Sequence, residues 1–384
     1  MPKLSRLMKQ QNYYIERLGR RQIERVQKQD MVLKQQQERL IVEAMHNVKR
    51  EAQGWFSRYA TQEGIDPATA KMVAATADIK YLSERAKEYV ANRHDKDFAF
   101  SMDANAEMRL YNLSMKVSRA EIALRSMDLV LMELADNLID MTGHHIMDMT
   151  EADLYRQAMV LGETALTPTQ IASVADVLTR EPVYDKTFME THWLNTEKAM
   201  HILERGFIKS LLQGKNPRTW SKALEKTLDP LTQSIKSKAA QIAITETAAR
   251  QELLAHAMAE AAGFTHYMII SEQDALVCEV CMAIDGTIVP NRDMHMGLNA
   301  PPFHPFCRCR TEPYMLARHD IDDDLWALEE HVKRLRAMDN LEAMQKEHYR
   351  YRPLDWHEEI GHEYSDDMIK YIGKFLRATG RIGG

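Results

Sequence analysis

Apolar side chains recur at helical spacing along most of this chain. Leu4, Leu7, Ile15, Leu18, Val26, Leu40, Met45 and Val48 follow that period, with no proline from Leu4 to Glu63 and only Gly19 and Gly54 interrupting. The pattern predicts one or two long helices over residues 4–63. Glu63-Gly64-Ile65-Asp66-Pro67 breaks it and restarts a helix with Pro67 in its first turn. A second long helix is predicted over 104–142 from Met108, Leu113, Val117, Ile122, Met127, Leu131, Leu134, Leu138 and Met141. Gly143 would stop it, and His144 and His145 would sit where imidazoles suit a helix C-terminus. Thr150-Glu151 and Thr167-Pro168 read as starts of shorter helices reaching about residue 180. Two more helices follow Pro182, joined at Gly214-Lys215-Asn216-Pro217, and Asp229-Pro230 ends the all-helical stretch. Helices of this length need packing partners, because propensity alone does not hold them.

After a last helix at about 234–262 the pattern changes. "THYMIISEQDALVCEVCMAIDGTIV" carries short β-branched runs, and Asp285-Gly286 between Met282-Ala283-Ile284 and Thr287-Ile288-Val289 predicts a hairpin. A loop rich in proline and glycine follows. Beyond Pro313 two helices are expected, the first opened by Asp320 and Asp322 to Asp324 with Lys333, Arg334 and Arg336 toward its far end. The second, near 366–378, sets Met368, Ile372 and Phe375 on one face, either as a docking helix or as a domain cap. The expected fold is mainly α, in three consecutive stretches: a long-helix N-terminal body at 1–230, a small α+β module at 231–315, and a helical tail at 316–384.

Composition narrows the class. The chain has 384 residues, 45% of them apolar, enough for a sizeable core and more than one domain. No apolar run approaches a membrane span and the N-terminus does not read as a signal peptide, so neither membrane nor secretion is expected. Net charge is −6, but residues 1–50 hold twelve Lys or Arg against five acids. Such an arm is either a solvated helix face or a surface for phosphates. The 25 methionines, clustered in 102–158 among other places, suit adaptable core or partner surfaces.

The chemistry of the sequence lies in its four cysteines, all inside one short window. Cys278-Glu279-Val280-Cys281 is a Cys-x2-Cys knuckle, 25 residues separate it from Cys307-Arg308-Cys309, and His304 stands just upstream of the second pair. In a large chain without a secretory signal this argues for a metal rather than a disulfide scaffold. Zinc takes thiolates and imidazoles in a tetrahedron, and a structural site uses four protein ligands. The set offers Cys278, Cys281, Cys307, Cys309 and His304, one donor more than required, and spacing leaves open whether Cys309 or His304 completes it. Other readings are four reduced core thiols with His304 capping a turn, or a Cys307/His304 nucleophilic pair, for which no neighbouring oxyanion hole or orienting acid is evident.

These residues also carry a resemblance. "ITETAARQELLAHAMAEAAGF", "CEVCMAIDGTIV" and "PPFHPFCRC" resemble the head-morphogenesis domain of tailed phages, the phage Mu F-like minor head proteins, through Thr245, Glu246, Cys278, Cys281, Gly286, His304, Pro305, Cys307, Arg308 and Cys309. Looser similarity to longer members runs upstream through "GWFSRYATQEG", "YNLSMKVSRAEIALRSM" and "SLLQGKNPRTWSKAL", covering about residues 10–315. One departure is Ile244, where the family usually has an arginine before Thr-Glu; if that arginine pairs with Glu246, the pairing here is either absent or supplied by Arg250. The resemblance implies a structural, non-enzymatic minor capsid protein. It would act in the phage head interior, reached from the host cytoplasm during assembly, and bind the portal, the major capsid protein or a scaffolding protein. It would support head assembly or DNA delivery, with the basic arm against packaged DNA. Rival readings are a thiol hydrolase or toxin using Cys307 and His304, and a zinc-stabilised nucleic-acid-binding protein. "HEEIGHE" at 357–363 is not the metalloprotease motif: His357 and His362 are five apart and diverge around a helix.

Overall fold

The computed structural model describes residues 2–60, 80–82, 84–89, 119–161, 174–175, 178–179, 182–212, 217–272, 274, 277–316 and 324–345. The expected turn at 63–67, the helix start at Thr167-Pro168, the motif at 357–363 and the helix near 366–378 lie outside them. The chain is mainly α, as expected. Its elements are α1 (Pro2–Ala60), α2 (Arg119–Leu161), α3 (Phe188–Leu212), α4 (Pro217–Ala261), β1 (His266–Ile270), α5 (Glu279–Ile284), β2 (Ile288–Pro290), β3 (Arg310–Tyr314) and α6 (Asp324–Gln345).

Two compact units emerge, each gathered from separated stretches rather than consecutive ones. The first draws on Met1–Met31, His145–Asp185 and Ala243–Gly384, the second on Val32–His144 and Lys186–Ile242. Helices α1, α2 and α4 each contribute one part to either unit.

In the second unit the helical stripes form one core. Ile41, Ala44, Met45, Val48, Ala52 and Trp55 of α1 recur three and four residues apart and bury against Met127, Leu131, Leu134 and Leu138 of α2, Leu203 and Phe207 of α3, and Leu224, Leu228 and Leu231 of α4. At the start of α3, Thr187 Oγ1 accepts from Glu190 N (3.1 Å) while Glu190 Oε2 accepts from Thr187 N (2.8 Å), a reciprocal cap. A buried polar ladder crosses this core: Gln37 Nε2 donates to Thr142 Oγ1 (3.2 Å), which meets His192 Nε2 (3.1 Å). Burial pushes the His192 imidazole down to about 3, so it is neutral.

Two expected stops are not stops. α2 runs through Gly143 and Thr150-Glu151, because a mid-helix glycine costs only about 1 kcal/mol while Ile146, Met149 and Leu154 beyond it are buried. His144 and His145 are therefore mid-helix: His144 Nδ1 meets Asp140 O (2.8 Å), and His145 Nε2 meets the buried Asp30 carboxylate (2.9 Å). α4 likewise passes through Pro230. Proline removes one helix hydrogen bond at a cost of about 3 kcal/mol, and burial of Leu224, Leu228 and Leu231 on either side offsets it.

The first unit has a second core, made by Ile15 and Leu18 of α1, Leu154 and Ala158 of α2, Leu254, Ala257 and Met258 of α4, and Leu335 and Met338 of α6. The tail helix begins at Asp324 and continues to Gln345, so Lys333, Arg334 and Arg336 sit mid-helix rather than at its end. Its Asp339 is held by Arg17 (3.1 Å) and Arg21 (2.9 Å) of α1. A small antiparallel sheet of order β2-β1-β3 completes the unit, with β1 central. The expected hairpin is corrected here. Residues 279–284 form α5, not a strand, and β2 pairs with β1. Asp285-Gly286 is still a turn: Gly286 takes φ +75 and donates to Ile269 O (2.8 Å).

Candidate metal centre

Sheet register brings the two cysteine pairs together. β1 pairs antiparallel with β3 so that Ile270 faces Arg310. The end of β1, which leads to Cys278, thus lies beside the start of β3, which follows Cys309. All four cysteines are free thiols, with Cys281, Cys307 and Cys309 buried.

Cys278 caps α5, its sulfur accepting from Cys281 N (3.4 Å), which turns the knuckle tightly enough to aim both sulfurs one way. His304 Nε2 lies 3.2 Å from Cys278 Sγ and 3.2 Å from Cys281 Sγ. Cys281 Sγ lies 3.9 Å from Cys307 Sγ. Among the described residues two compact donor groups result, Cys278/Cys281/His304 and Cys281/Cys307/Cys309, sharing Cys281. All five residues singled out in the sequence are therefore gathered at one place.

The donors suit zinc. Sulfurs bound tetrahedrally at about 2.3 Å lie about 3.8 Å apart, close to the Cys281–Cys307 separation. His304 Nδ1 is 2.8 Å from Pro305 O; a carbonyl only accepts, so Nδ1 carries the proton and the Nε2 lone pair faces the sulfurs, the tautomer a metal needs. The thiol acidities are pulled apart by their different surroundings. Cys307 is drawn down to about 5, first by the hydrogen bond from Cys309; Cys281 is pushed up to about 12 by burial. Cys278 is lowered, chiefly by the Cys281 backbone N–H on its sulfur, and Cys309 is raised by its hydrogen bond with Cys307 and by burial. A cation among these sulfurs would favour the thiolate at every one of them.

Supporting contacts explain more of the motif. Arg308, between the paired cysteines, points away from them and grips Asp274 with two bonds of 2.6 and 2.7 Å. This clamps the Cys307–Cys309 strand to the segment before the knuckle. Thr245 Oγ1 accepts from Phe306 N (3.3 Å), tying the His304 loop to α4. Arg250 pairs with Glu246, and its Nε also donates to Leu178 O (2.7 Å).

Sequence reasoning missed a buried ionic cluster that includes Arg310, the residue after Cys309. Arg156 and Arg310 share Asp153 and Glu312, each at least nine-tenths buried. Beside them Glu252 accepts from Thr311 N (3.0 Å) and Thr311 Oγ1, and burial raises its carboxyl to about 7. No periodicity marks such residues. A faint signal was Gly19 in the middle of α1: a Cβ there would stand 2.5 Å from Glu312 Cγ, so the glycine lets β3 approach the helix.

Residues 201–312 match the family described as Phage Mu protein F like protein. The match covers less than a third of the chain and contains every member of the Cys/His cluster together with Thr245, Glu246 and Arg308. The match bears out, over residues 201–312, the resemblance read from the motifs. No curated protein and no solved structure matches the chain.

Proposed function

We propose that this chain is a structural minor head protein of a tailed phage, bound to the portal or inner shell, whose C-terminal module is stapled by one zinc ion. The observation that carries the reading is the coincidence of the family match with the five-donor cluster. A zinc ion there would contribute folding free energy of the order of 10 kcal/mol to a small sheet with little core of its own. The role is scaffolding rather than turnover. His304 directs Nε2 at Cys278 and Cys281 and spends Nδ1 on a backbone carbonyl, so neither nitrogen is arranged as the base of a Cys307 nucleophile with an orienting carboxylate.

The basic arm is partly committed within the first unit. Arg17 and Arg21 bind Asp339, and Arg20 binds Glu16 and Asp285. Contact with packaged DNA would fall to other cations of the arm and belongs to the proposal as its minor part. No helix among the described residues is long and apolar enough to cross a membrane. Mass spectrometry of purified heads, with this chain quantified against the portal protein, tests the reading. A few copies per portal are expected; absence from both immature and mature heads would remove it.

A further inference from the structure

The five donors leave one to spare, and the local geometry says which. Cys278 and Cys281 stand three apart on a tight turn, closed by Cys281 N on Cys278 Sγ and by Met282 N donating to Cys278 O (2.9 Å). His304 and Cys307 stand three apart as well, and their turn is closed in a related way by Cys307 N donating to His304 O (3.1 Å). The crossing of that turn requires Phe306 at φ 63, a left-handed conformation rare for an aromatic residue, and Thr245 Oγ1 holds it by accepting from Phe306 N. Two knuckles therefore face each other, one Cys-x2-Cys and one His-x2-Cys. Contacts join them: His304 Nε2 to both sulfurs of the first knuckle at 3.2 Å, and Cys307 Sγ to Cys281 Sγ at 3.9 Å.

Cys309 is differently placed. It lies two residues past the second turn, where the chain is already extended toward β3, outside the His304–Cys307 knuckle; Cys307 and Cys309 both share a compact donor group with Cys281, and Cys307 alone of the two belongs to a turn that also carries His304. With Cys307 it borders a cavity walled by Ile23 and Val26 of α1 and Ile244 and Ala248 of α4.

We infer that the ion is held by Cys278, Cys281, His304 and Cys307, three sulfurs and one nitrogen, and that Cys309 is a positioning residue beside the centre. The Cys-Arg-Cys pair, the most conspicuous part of the motif, is thus not a chelating pair: Cys307 ligates, Arg308 clamps Asp274, and Cys309 packs beside the Cys281 and Cys307 sulfurs. This rests on the metal centre proposed above.

Cobalt(II) substituted into the full chain separates the ligand sets, because thiolate-to-cobalt charge-transfer absorption scales with the number of bound sulfurs. Cys309→Ser is expected to retain one cobalt per chain with wild-type charge-transfer intensity, and Cys307→Ser to lose about one third of it, one of three thiolates. Loss of that third in Cys309→Ser, with Cys307→Ser unchanged, would overturn the assignment. X-ray absorption on the wild-type zinc protein gives the same answer without a variant that must fold: three sulfurs and one nitrogen support the set, four sulfurs overturn it. A wild-type chain that takes up neither ion removes the metal centre itself, a different failure from a wrong fourth ligand.

Discussion

In the second unit Trp55 and Phe207 meet edge to face at 5.4 Å, inside a core of leucine, methionine and alanine drawn from four helices. In the first unit the largest fully buried side chains include Arg156 and Arg250, a three-stranded sheet is added to the helical core, and three thiols occupy a core position of their own. Apolar burial is non-directional and tolerates adjustment, so the second unit needs only a stripe of the right period. Buried charges and metal donors are directional, and each becomes a liability when its partner is removed. The first unit therefore depends on single residues in a way the second does not.

The largest difference between the units should appear at Cys281, which both donor groups share. Cys281→Ser is expected to abolish metal binding and unfold the sheet module, losing most of the zinc contribution of the order of 10 kcal/mol. Metal analysis with thermal melting checks this: a wild type that, purified without chelator, holds no metal and melts together with the variant would leave no structural metal. Phe207→Ala in the second unit should cost about 3–5 kcal/mol while leaving metal content unchanged. Denaturant unfolding paired with metal analysis reads both, and metal loss in this variant would blur the comparison.

Glu252 gives a pH test confined to the first unit. Its folded carboxyl titrates near 7, above the ordinary glutamate value of 4.5, because burial penalises the charged form. Over that interval the folded state binds more protons than the unfolded state, so its contribution falls as pH rises from about 4.5 to about 7 and then levels off. Glu252→Gln, which keeps an acceptor for Thr311 N and offers a donor to Thr311 Oγ1, should remove that dependence. Relative to wild type it should gain of the order of 2–3 kcal/mol between about pH 5 and about pH 8. A stability difference that does not change with pH would show that the carboxyl is not titrating there.

The smallest effect is expected at Gly19. Gly19→Ala improves helix propensity by about 1 kcal/mol but drives a methyl into Glu312, so a net loss of about 1–2 kcal/mol is expected. Stabilisation by that substitution would mean that Glu312 moves away without cost to its pairing with Arg156 and Arg310.

Much of the helical content was legible because its cause is periodic and local. The stripe Met45, Val48 and its neighbours foretold α1 to within a few residues, and Pro217 marked the start of α4. What misled was punctuation. Gly143 and Pro230 are helix breakers by propensity, yet both are overridden by packing worth more than their penalties. Asp285-Gly286 correctly signalled a turn, but the residues before it coil into α5 because the Cys278 sulfur caps them.

The sequence by itself determined a mainly helical chain, the members of the Cys/His cluster and the phage head-morphogenesis resemblance, because residue type, spacing and period carry that information along the chain. Tertiary structure decided how separated stretches combine into two units, that Arg250 pairs with Glu246, and that Asp153, Arg156, Arg310 and Glu312 share a buried site. Those outcomes depend on which distant side chains meet when water is excluded, and a buried charge is fixed by its partner in space rather than by its neighbours in sequence.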